Sequence, residues 1–278
     1  MDINTQRAYS LCMSSYPTIR FLDRTTPPHV FTLVLITGVS ALNMSIFLPS
    51  LAEMTRYFGT EYAIMQIALS GYLAATAILQ IFIGPISDRY GRRVVILIAI
   101  MVFVLATLGA LLARTVEMFL FFRILQAAVA TSMALSRAIV RDIVPQEEAA
   151  SMIGYVTMGT ALVPMVGPMI GGCLEQLFNW QATFVVLALV GIGTFVLCYF
   201  DLGETVAKGG TGFREQVRTY PELLQSPRSW GYVLCSAFSS GAFFALLGRV
   251  LRWWHDFRPF PVLERRCPWR TCHWLCGR

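Results

Sequence analysis

The sequence predicts an all-α membrane protein that crosses the bilayer several times. Only 14% of its 278 residues are charged and 56% are hydrophobic, whereas soluble domains carry about 25% charged residues. The apolar residues are gathered in runs of about 20 residues, the length that a helix needs to cross the ~30 Å hydrocarbon core. Seven such runs follow one another. We therefore predict a six-helix bundle followed by a seventh helix.

Composition divides the chain into five segments. A polar N-terminal segment, residues 1–29, precedes six predicted spans within residues 30–200. A polar linker covers residues 201–228, a seventh span covers 229–248, and an atypical tail covers 249–278. Spans 1 to 6 are predicted at residues 30–52, 62–87, 94–113, 117–137, 149–174 and 176–200.

The basic residues of the connecting segments predict the orientation. Twelve arginines and lysines lie in the N-terminal segment, between spans 2 and 3, at the end of span 4 and in the linker. The opposite side holds two, Arg56 and Arg114. Because basic loops stay in the cytoplasm, the N-terminus is predicted to be cytoplasmic.

A charged hairpin, residues 84–96, joins spans 2 and 3. Its two glycines are expected to let the backbone turn and the helix ends approach closely. Its aspartate and arginines are expected to form a charge network at the membrane surface. The residues concerned are Gly84, Asp88, Arg89, Gly91, Arg92 and Arg93.

The hairpin resembles the Gly-x-Leu-x-Asp-Arg-x-Gly-Arg-(Lys/Arg) signature of major facilitator superfamily transporters, with Ile86 at the leucine position. A chance basic turn would need every glycine, aspartate and arginine position to coincide. The resemblance implies the N-terminal six-helix bundle of that fold, in which two six-span halves surround a cavity. It also implies that the six hairpin residues form a conformational switch, a latch between helix ends, and bind no substrate.

Span 4 contains an arginine within an apolar run. Arg123 and Gln126 resemble the Arg-x-x-Gln-Gly element of the superfamily, with Ala127 in place of the glycine. A charge within a span is costly and is a functional candidate by default. The resemblance implies a role in proton transfer or cavity electrostatics, with Gln126 bonded to Arg123. The alternative is that Arg123 extends past Glu117 to the external surface.

Span 5 carries two prolines and repeated glycines, which bend a membrane helix and give it a smooth packing face. The order Gly167-Pro168-x-x-Gly171-Gly172 resembles the antiporter element of proton-coupled drug exporters. That resemblance implies export, whereas generic helix packing would account for the glycines alone.

Span 1 supplies the candidate cavity-lining residues Asn43, Met44 and Ser45. Residues 43–51 and 136–142 resemble the bicyclomycin and chloramphenicol exporter branch, Bcr/CflA. Members of that branch often carry aspartate where this chain has Ser45. Spans 1 to 6 hold no acidic residue mid-membrane, so coupling to protons would fall to Arg123 and Asp88 or to a carboxylate outside these spans.

The tail has a different composition from the rest of the chain. Residues 249–278 hold seven of the 22 basic residues, four of the six tryptophans and three of the seven cysteines. The abrupt change suggests an out-of-frame translation. A zinc site is the alternative, although the spacing fits no common pattern; its ligands would be Cys267, Cys272, His273 and Cys276.

These observations favour a transporter over other classes. The net charge of +6 comes mainly from the tail, so no nucleic-acid partner is expected. No phosphate-binding glycine-rich loop, cofactor site, metal site or enzyme active site is predicted. The resemblance implies a bacterial inner-membrane exporter whose partners are the lipid bilayer, a small drug-like substrate and protons, and which works by alternating access. The alternatives are an inactive half-transporter fragment or a membrane interaction protein that does not transport alone. Self-association is expected if the 278-residue chain is the true product.

Overall fold

The computed structural model describes residues 21–24, 26–204 and 225–256. The chain separates into two compact units, residues 1–217 and 218–278. The candidate zinc ligands of the tail fall outside the described residues. In the second unit, the helix Pro227–Asp256 contains the predicted span 7 and extends eight residues beyond it.

The first unit is a bundle of six spans, and its described residues contain no β-strand. Five helices, those of spans 2 to 6, are long and apolar enough to cross a membrane. The prediction of an all-α polytopic membrane protein is therefore confirmed. The helices are Val30–Ser45 for span 1, Leu51–Phe58 after it, Tyr62–Tyr90 for span 2, Arg92–Leu111 for span 3, Val116–Leu125 and Val129–Ile143 for span 4, Gln146–Leu177 for span 5 and Trp180–Asp201 for span 6.

Span 1 is shorter than the sequence predicts. Its helix ends at Ser45, and a turn precedes the next helix, Leu51–Phe58. Pro49 explains the interruption, because its nitrogen has no hydrogen to donate to the carbonyl of Ser45. Residues 53–61, which the predicted span bounds leave as an external loop, are mostly helical. Their helix ends at Gly59, which has a left-handed φ of 61°. A single helix over residues 30–52 is therefore wrong.

Span 4 is interrupted as well. The α-helix Val116–Leu125 passes into one turn of 3₁₀-helix, Gln126–Ala128, and α-helix resumes at Val129. A 3₁₀ turn inside a helix has three residues per turn and changes the direction of the following side chains. The turn begins at Gln126, three residues after Arg123, so it lies beside that side chain.

Span 1 packs mainly on span 5, while span 3 packs mainly on span 6. Three glycines of span 5 make the first contact close. A Cβ atom at Gly159 would meet Val34, one at Gly167 would meet the Ser45 hydroxyl, and one at Gly171 would meet the backbone carbonyl of Ile46. Small residues let two helix backbones approach in this way. These glycines therefore set the distance between spans 1 and 5.

Aromatic rings fill the end of the bundle opposite the hairpin. Trp180 at the start of span 6 packs edge-on against Phe119 of span 4 and Phe184 of its own helix, with ring centroids 6.1 and 5.8 Å away. Phe58 of the short helix joins them at 5.5 Å from Phe119. Edge-to-face pairs of this kind add to the stability from burial. The short helix is thereby packed onto the bundle.

At the hairpin end, the buried carboxylate of Asp201 holds the start of the chain against span 6. It accepts hydrogen bonds from the backbone N–H groups of Leu22 and His29 at 2.8 and 3.0 Å. It also accepts one from the Thr32 hydroxyl at 2.6 Å. The His29 N–H lies at the start of span 1, where backbone N–H groups lack helical partners. Asp201 therefore serves as a helix cap supplied by a residue about 170 positions away.

Candidate functional site

The guanidinium of Arg123 is buried in the middle of the bundle. Its side chain is 0% exposed, and it points toward span 1. The alternative in which Arg123 extends to the external surface is therefore wrong. A positive charge buried among the spans is costly, so it needs polar or aromatic partners.

Neutral oxygen atoms surround the guanidinium. Its Nη1 donates to Asn43 Oδ1 at 2.8 Å and to Gln126 Oε1 at 2.5 Å, and its Nη2 donates to the backbone carbonyl of Asn43 at 2.9 Å. The amide Nε2 of Gln126 donates in turn to Thr107 Oγ1 of span 3 at 2.9 Å. Asn43 and Gln126 are also 0% exposed. Spans 1, 3 and 4 are thus joined by one polar chain.

Two aromatic faces complete this site. The guanidinium carbon of Arg123 lies 3.8 Å from the ring centroid of Phe47 and 4.8 Å from that of Tyr72. Cation–π attraction of this kind stabilises a desolvated charge. Both aromatic side chains are buried, Tyr72 coming from span 2. We call Arg123, Asn43, Gln126, Phe47 and Tyr72 the arginine site.

Among the described residues, no carboxylate lies within 4 Å of the Arg123 guanidinium. Hydrogen bonds and ring faces offset part of the cost of burial, but the net charge remains. Such a group attracts an anionic or hydrogen-bond-accepting atom that approaches it in a region of low dielectric constant. The arrangement is therefore suited to electrostatic control inside the bundle, and it contains no nucleophile paired with a base.

The three candidate cavity-lining residues of span 1 have different surroundings. Asn43 belongs to the arginine site. Ser45 is 3% exposed and faces Gly167 of span 5, while its hydroxyl donates to the backbone carbonyl of Ala41 at 3.1 Å. Met44 is half-buried. Ser45 therefore occupies a helix contact, in which the space beside Gly167 suits a small side chain.

The hairpin turns at Gly91 alone. This glycine ends span 2 and precedes span 3, with φ 93° and ψ 141°, a left-handed conformation that favours glycine. Gly84 lies inside the helix of span 2, and a Cβ atom there would meet nothing within 4 Å. The predicted part of Gly84 in the turn is therefore wrong. Without a side chain, Gly91 also leaves room for the carboxylate of Glu204.

Arg92 is the centre of the charge network at the hairpin. Its guanidinium lies 3.0 Å from Asp142 at the end of span 4 and 3.7 Å from Asp88 of span 2. Its backbone N–H donates to Glu204 Oε1, after span 6, at 2.9 Å. The side chain is 11% exposed. One residue thus connects the ends of spans 2, 4 and 6.

Arg93 and Arg89 point elsewhere. Arg93 donates from Nη2 to the backbone carbonyl of Tyr199 in span 6 at 3.2 Å. Arg24 of the N-terminal segment stacks on the Tyr199 ring, 4.1 Å from its centroid. Arg89 is exposed, with its guanidinium carbon 5.5 Å from the Tyr90 ring. The three arginines of the hairpin therefore have three different environments.

Asp142, Glu204 and Asp201 are site residues that no sequence motif marks. Asp142 lies at the end of residues 136–142, and Asp201 and Glu204 lie in the predicted linker. One feature of the sequence could have identified them. They are acidic residues at the ends of spans 4 and 6, on the same side as the three hairpin arginines. Opposite charges at neighbouring helix ends are expected to pair.

A bundle of apolar spans, with an arginine site inside and a charge network at one end, is typical of a polytopic membrane transport protein. The chain belongs to the Major Facilitator Superfamily, whose model matches residues 33–260.

The curated relatives include several named for drug resistance. The chain is 34% identical over 209 residues to the chloramphenicol resistance protein of Pseudomonas aeruginosa, covering 74% of this chain and 49% of that protein. It is 28% identical over 222 residues to the bicyclomycin resistance protein homolog of Haemophilus influenzae, covering 78% and 56%. An uncharacterized MFS-type transporter of Bacillus subtilis, YdgK, is 32% identical over 221 residues, with 77% and 55% covered. The chain thus spans about half the length of these relatives.

Solved structures of other transporters share the fold. A bacterial homolog of the human lysosomal transporter Spinster, in an inward-facing and unoccupied conformation, superposes with a TM-score of 0.63 at 18% identity, covering 80% of this chain and 54% of that one. A peptide transporter, POT, in complex with sulfate gives a TM-score of 0.60 at 15% identity, covering 82% and 48%. The predicted superfamily fold is therefore confirmed.

Proposed function

We propose that this protein takes part in the export of drugs or other small amphipathic compounds by alternating access, in exchange for protons. The observation that carries the proposal is the similarity to relatives named for chloramphenicol and bicyclomycin resistance. The arginine site and the hairpin network supply an electrostatic centre and a switch that such a cycle needs. The proposed location is the bacterial inner membrane, with the N-terminus in the cytoplasm.

The arginine site is the proposed electrostatic element. Arg123 carries a buried charge whose neutral partners, Asn43 and Gln126, are exchangeable for an approaching acceptor group. A substrate or a deprotonated carboxylate that enters the bundle would interact with this charge more strongly than in water. We place the coupling between substrate and proton at Arg123, with Gln126 and Asn43 holding its guanidinium in position.

Span 5 is the proposed packing hinge. Gly167 and Gly171 hold span 1 close, and Pro168 between them lacks the N–H that a helix uses for its backbone bond. A helix with a missing bond beside a smooth contact bends at little cost. We assign Gly167, Pro168, Gly171 and Gly172 to this hinge, and the antiporter resemblance supports the direction of transport.

A transport assay tests the proposal directly. The full chain is reconstituted into proteoliposomes, and uptake of radiolabelled chloramphenicol is followed under an imposed pH gradient. The proposal predicts uptake that depends on the gradient and stops when a protonophore is added. Uptake that is unaffected by the protonophore would contradict proton exchange. Absence of uptake would favour a partner-binding or inactive half-transporter.

The exposure of spans 2 and 5 points to a further packing partner within the membrane. Only 17% of the most apolar stretch of span 2 and 11% of that of span 5 are buried inside the bundle. The corresponding share is 39–50% for spans 3, 4 and 6. We propose that these two helices pack against a second six-span bundle, which a second copy of this chain is able to supply. The molecular mass of the protein in detergent, measured by light scattering with the detergent contribution subtracted, distinguishes one copy from two.

We propose that the hairpin network is a latch that holds the ends of spans 2, 4 and 6 together in one access state. Replacing Arg92 with glutamine removes the charge that Asp88 and Asp142 share, so the two access states change in relative population. Coupling free energies of this kind shift equilibria by about 5- to 150-fold. We expect R92Q to reduce gradient-driven chloramphenicol uptake by about tenfold or more.

Arg141 provides the matched control for Arg92. It is an exposed arginine at the same end of span 4, and no described carboxylate lies within 4 Å of it. R141Q is expected to keep uptake within about twofold of the parent protein, since an exposed charge with no ion pair among the described residues contributes little. Equal uptake by R92Q and R141Q would contradict the latch.

A further inference from the structure

An open apolar groove of about 380 Å³ lies among spans 2, 3 and 4. Span 2 contributes one wall, which includes Leu79 and Tyr90, and span 3 contributes the other, which includes Val102. Ala128 and Thr131 of span 4 form the floor. Thr131 is buried and its hydroxyl donates to the Ala128 carbonyl at 2.7 Å, so the floor presents little polar surface to a ligand. The groove therefore suits a hydrocarbon chain.

The length of the groove matches one leaflet of a bilayer. Leu79 and Tyr90 are eleven residues apart on one helix, which corresponds to about 16 Å at 1.5 Å per residue. The hydrocarbon core of a bilayer is ~30 Å thick, so each leaflet contributes about half of it. One end of the groove lies at the hairpin, at the membrane surface, and the other lies near the interruption of span 4. An acyl chain in the leaflet that contains the hairpin has this extent.

A positive charge stands at the surface end of the groove. Arg89 is exposed, and its guanidinium packs at 5.5 Å from the ring of Tyr90, which lines the groove. Among the described residues no carboxylate lies within 4 Å of Arg89. Arg92 is occupied by Asp142 instead. Arg89 is thus available to a phosphate at the headgroup level.

We propose that this groove binds one acyl chain of an anionic phospholipid, whose phosphate is held by Arg89. The apolar walls select a hydrocarbon chain, and their length places its headgroup beside the hairpin. A guanidinium forms charge-assisted hydrogen bonds with phosphate oxygens. Because Arg89 and Arg92 are three residues apart, an anionic lipid at this site would add negative charge beside the latch.

Native mass spectrometry of the full chain tests the proposal. The protein is purified in a mild detergent and supplied with equal amounts of dioleoyl phosphatidylglycerol and dioleoyl phosphatidylcholine. We expect one lipid to remain bound at collision energies that remove the others, with phosphatidylglycerol favoured about fivefold, as one basic residue near an anionic headgroup provides. Equal retention of the two lipids would overturn the assignment of Arg89.

Two variants separate the headgroup from the groove. R89Q should retain the lipid and lose the preference for phosphatidylglycerol. V102W fills the groove and should lose the retained lipid, whereas L105W is the control, because Leu105 is 60% exposed on the same helix outside the groove. If V102W and L105W retain the lipid equally, or if no variant differs from the parent protein, the groove is occupied in another way and the proposal fails. R89Q decides the headgroup contact even if V102W does not fold.

Discussion

Replacing Gly171 with alanine is expected to disrupt the packing of span 1 on span 5, whereas the same change at the neighbouring Gly172 is expected to be tolerated. A Cβ atom at Gly171 would collide with the backbone carbonyl of Ile46, which cannot move without displacing span 1. A Cβ atom at Gly172 would lie 3.9 Å from the Pro49 side chain, an ordinary contact. Both glycines belong to the same sequence element, so the pair isolates the effect of close helix contact.

The two substitutions are expected to change the stability of the bundle in different directions. Overpacking a closely packed contact costs about 1–3 kcal/mol, and we expect G171A to fall at the upper end because the obstacle is backbone. For a bundle of this size, that corresponds to a fall in melting temperature of about 6–12 °C. At Gly172 alanine gains up to about 1 kcal/mol of helix propensity, so stability is expected to stay the same or rise.

Thermal unfolding in detergent, followed by tryptophan fluorescence, measures both variants. Trp180, one of six tryptophans, lies in the aromatic cluster at the end of the bundle, so part of the emission change reports loss of packing there. Similar melting temperatures for G171A and G172A would show that spans 1 and 5 do not approach at Gly171.

Replacing Arg123 with methionine is expected to abolish transport. Methionine is similar in length and apolar, so it fills part of the space between Phe47 and Tyr72 but removes the charge and all three hydrogen bonds. Asn43 Oδ1 and Gln126 Oε1 then lose a donor, at a cost of about 1–3 kcal/mol for each buried group left unsatisfied. We expect chloramphenicol uptake to fall by about 100-fold or more, because the proposed cycle depends on a charge in a region of low dielectric constant.

Lysine at the same position separates charge from geometry. R123K retains the positive charge but lacks the planar fork with which arginine reaches Asn43 and Gln126 together. We expect it to recover part of the uptake lost in R123M. R114M is the matched control, since Arg114 is exposed in the connection between spans 3 and 4; its uptake should equal that of the parent protein.

A melting temperature for each variant distinguishes a functional role from a structural one. If R123M and R123K unfold at the same temperature but differ in uptake, the charge itself is required. If uptake follows the melting temperature in both, Arg123 only stabilises the bundle, and its proposed electrostatic role is contradicted.

The sequence by itself determined the class of fold and the position of the charged hairpin. An apolar run of about 20 residues without charge has no stable alternative to a membrane helix, because every backbone group must be paired inside hydrocarbon. The spacing within the hairpin and the Arg123–Gln126 pair, three residues apart, are local properties that residues reveal without a fold. The number and order of the six spans follow from the same local information.

The partners of the site residues were decided only by the tertiary structure. Asn43 lies 80 positions from Arg123, and Glu204 lies 112 positions from the backbone N–H of Arg92. No periodicity within a single helix identifies such contacts. The same limit applies to Asp201, which looks like the first residue of a polar linker and caps span 1 from across the bundle.

The contact between spans 1 and 5 also decided which of two adjacent glycines is needed for close packing. Gly171 and Gly172 are adjacent and equivalent in sequence, but one faces the backbone of span 1 and the other does not. The interruptions of spans 1 and 4 were likewise hidden, because hydropathy measures the length of an apolar run and not the continuity of its backbone hydrogen bonds. Apolar length is thus a property of each segment alone, whereas close packing and charge pairing exist only once the segments meet.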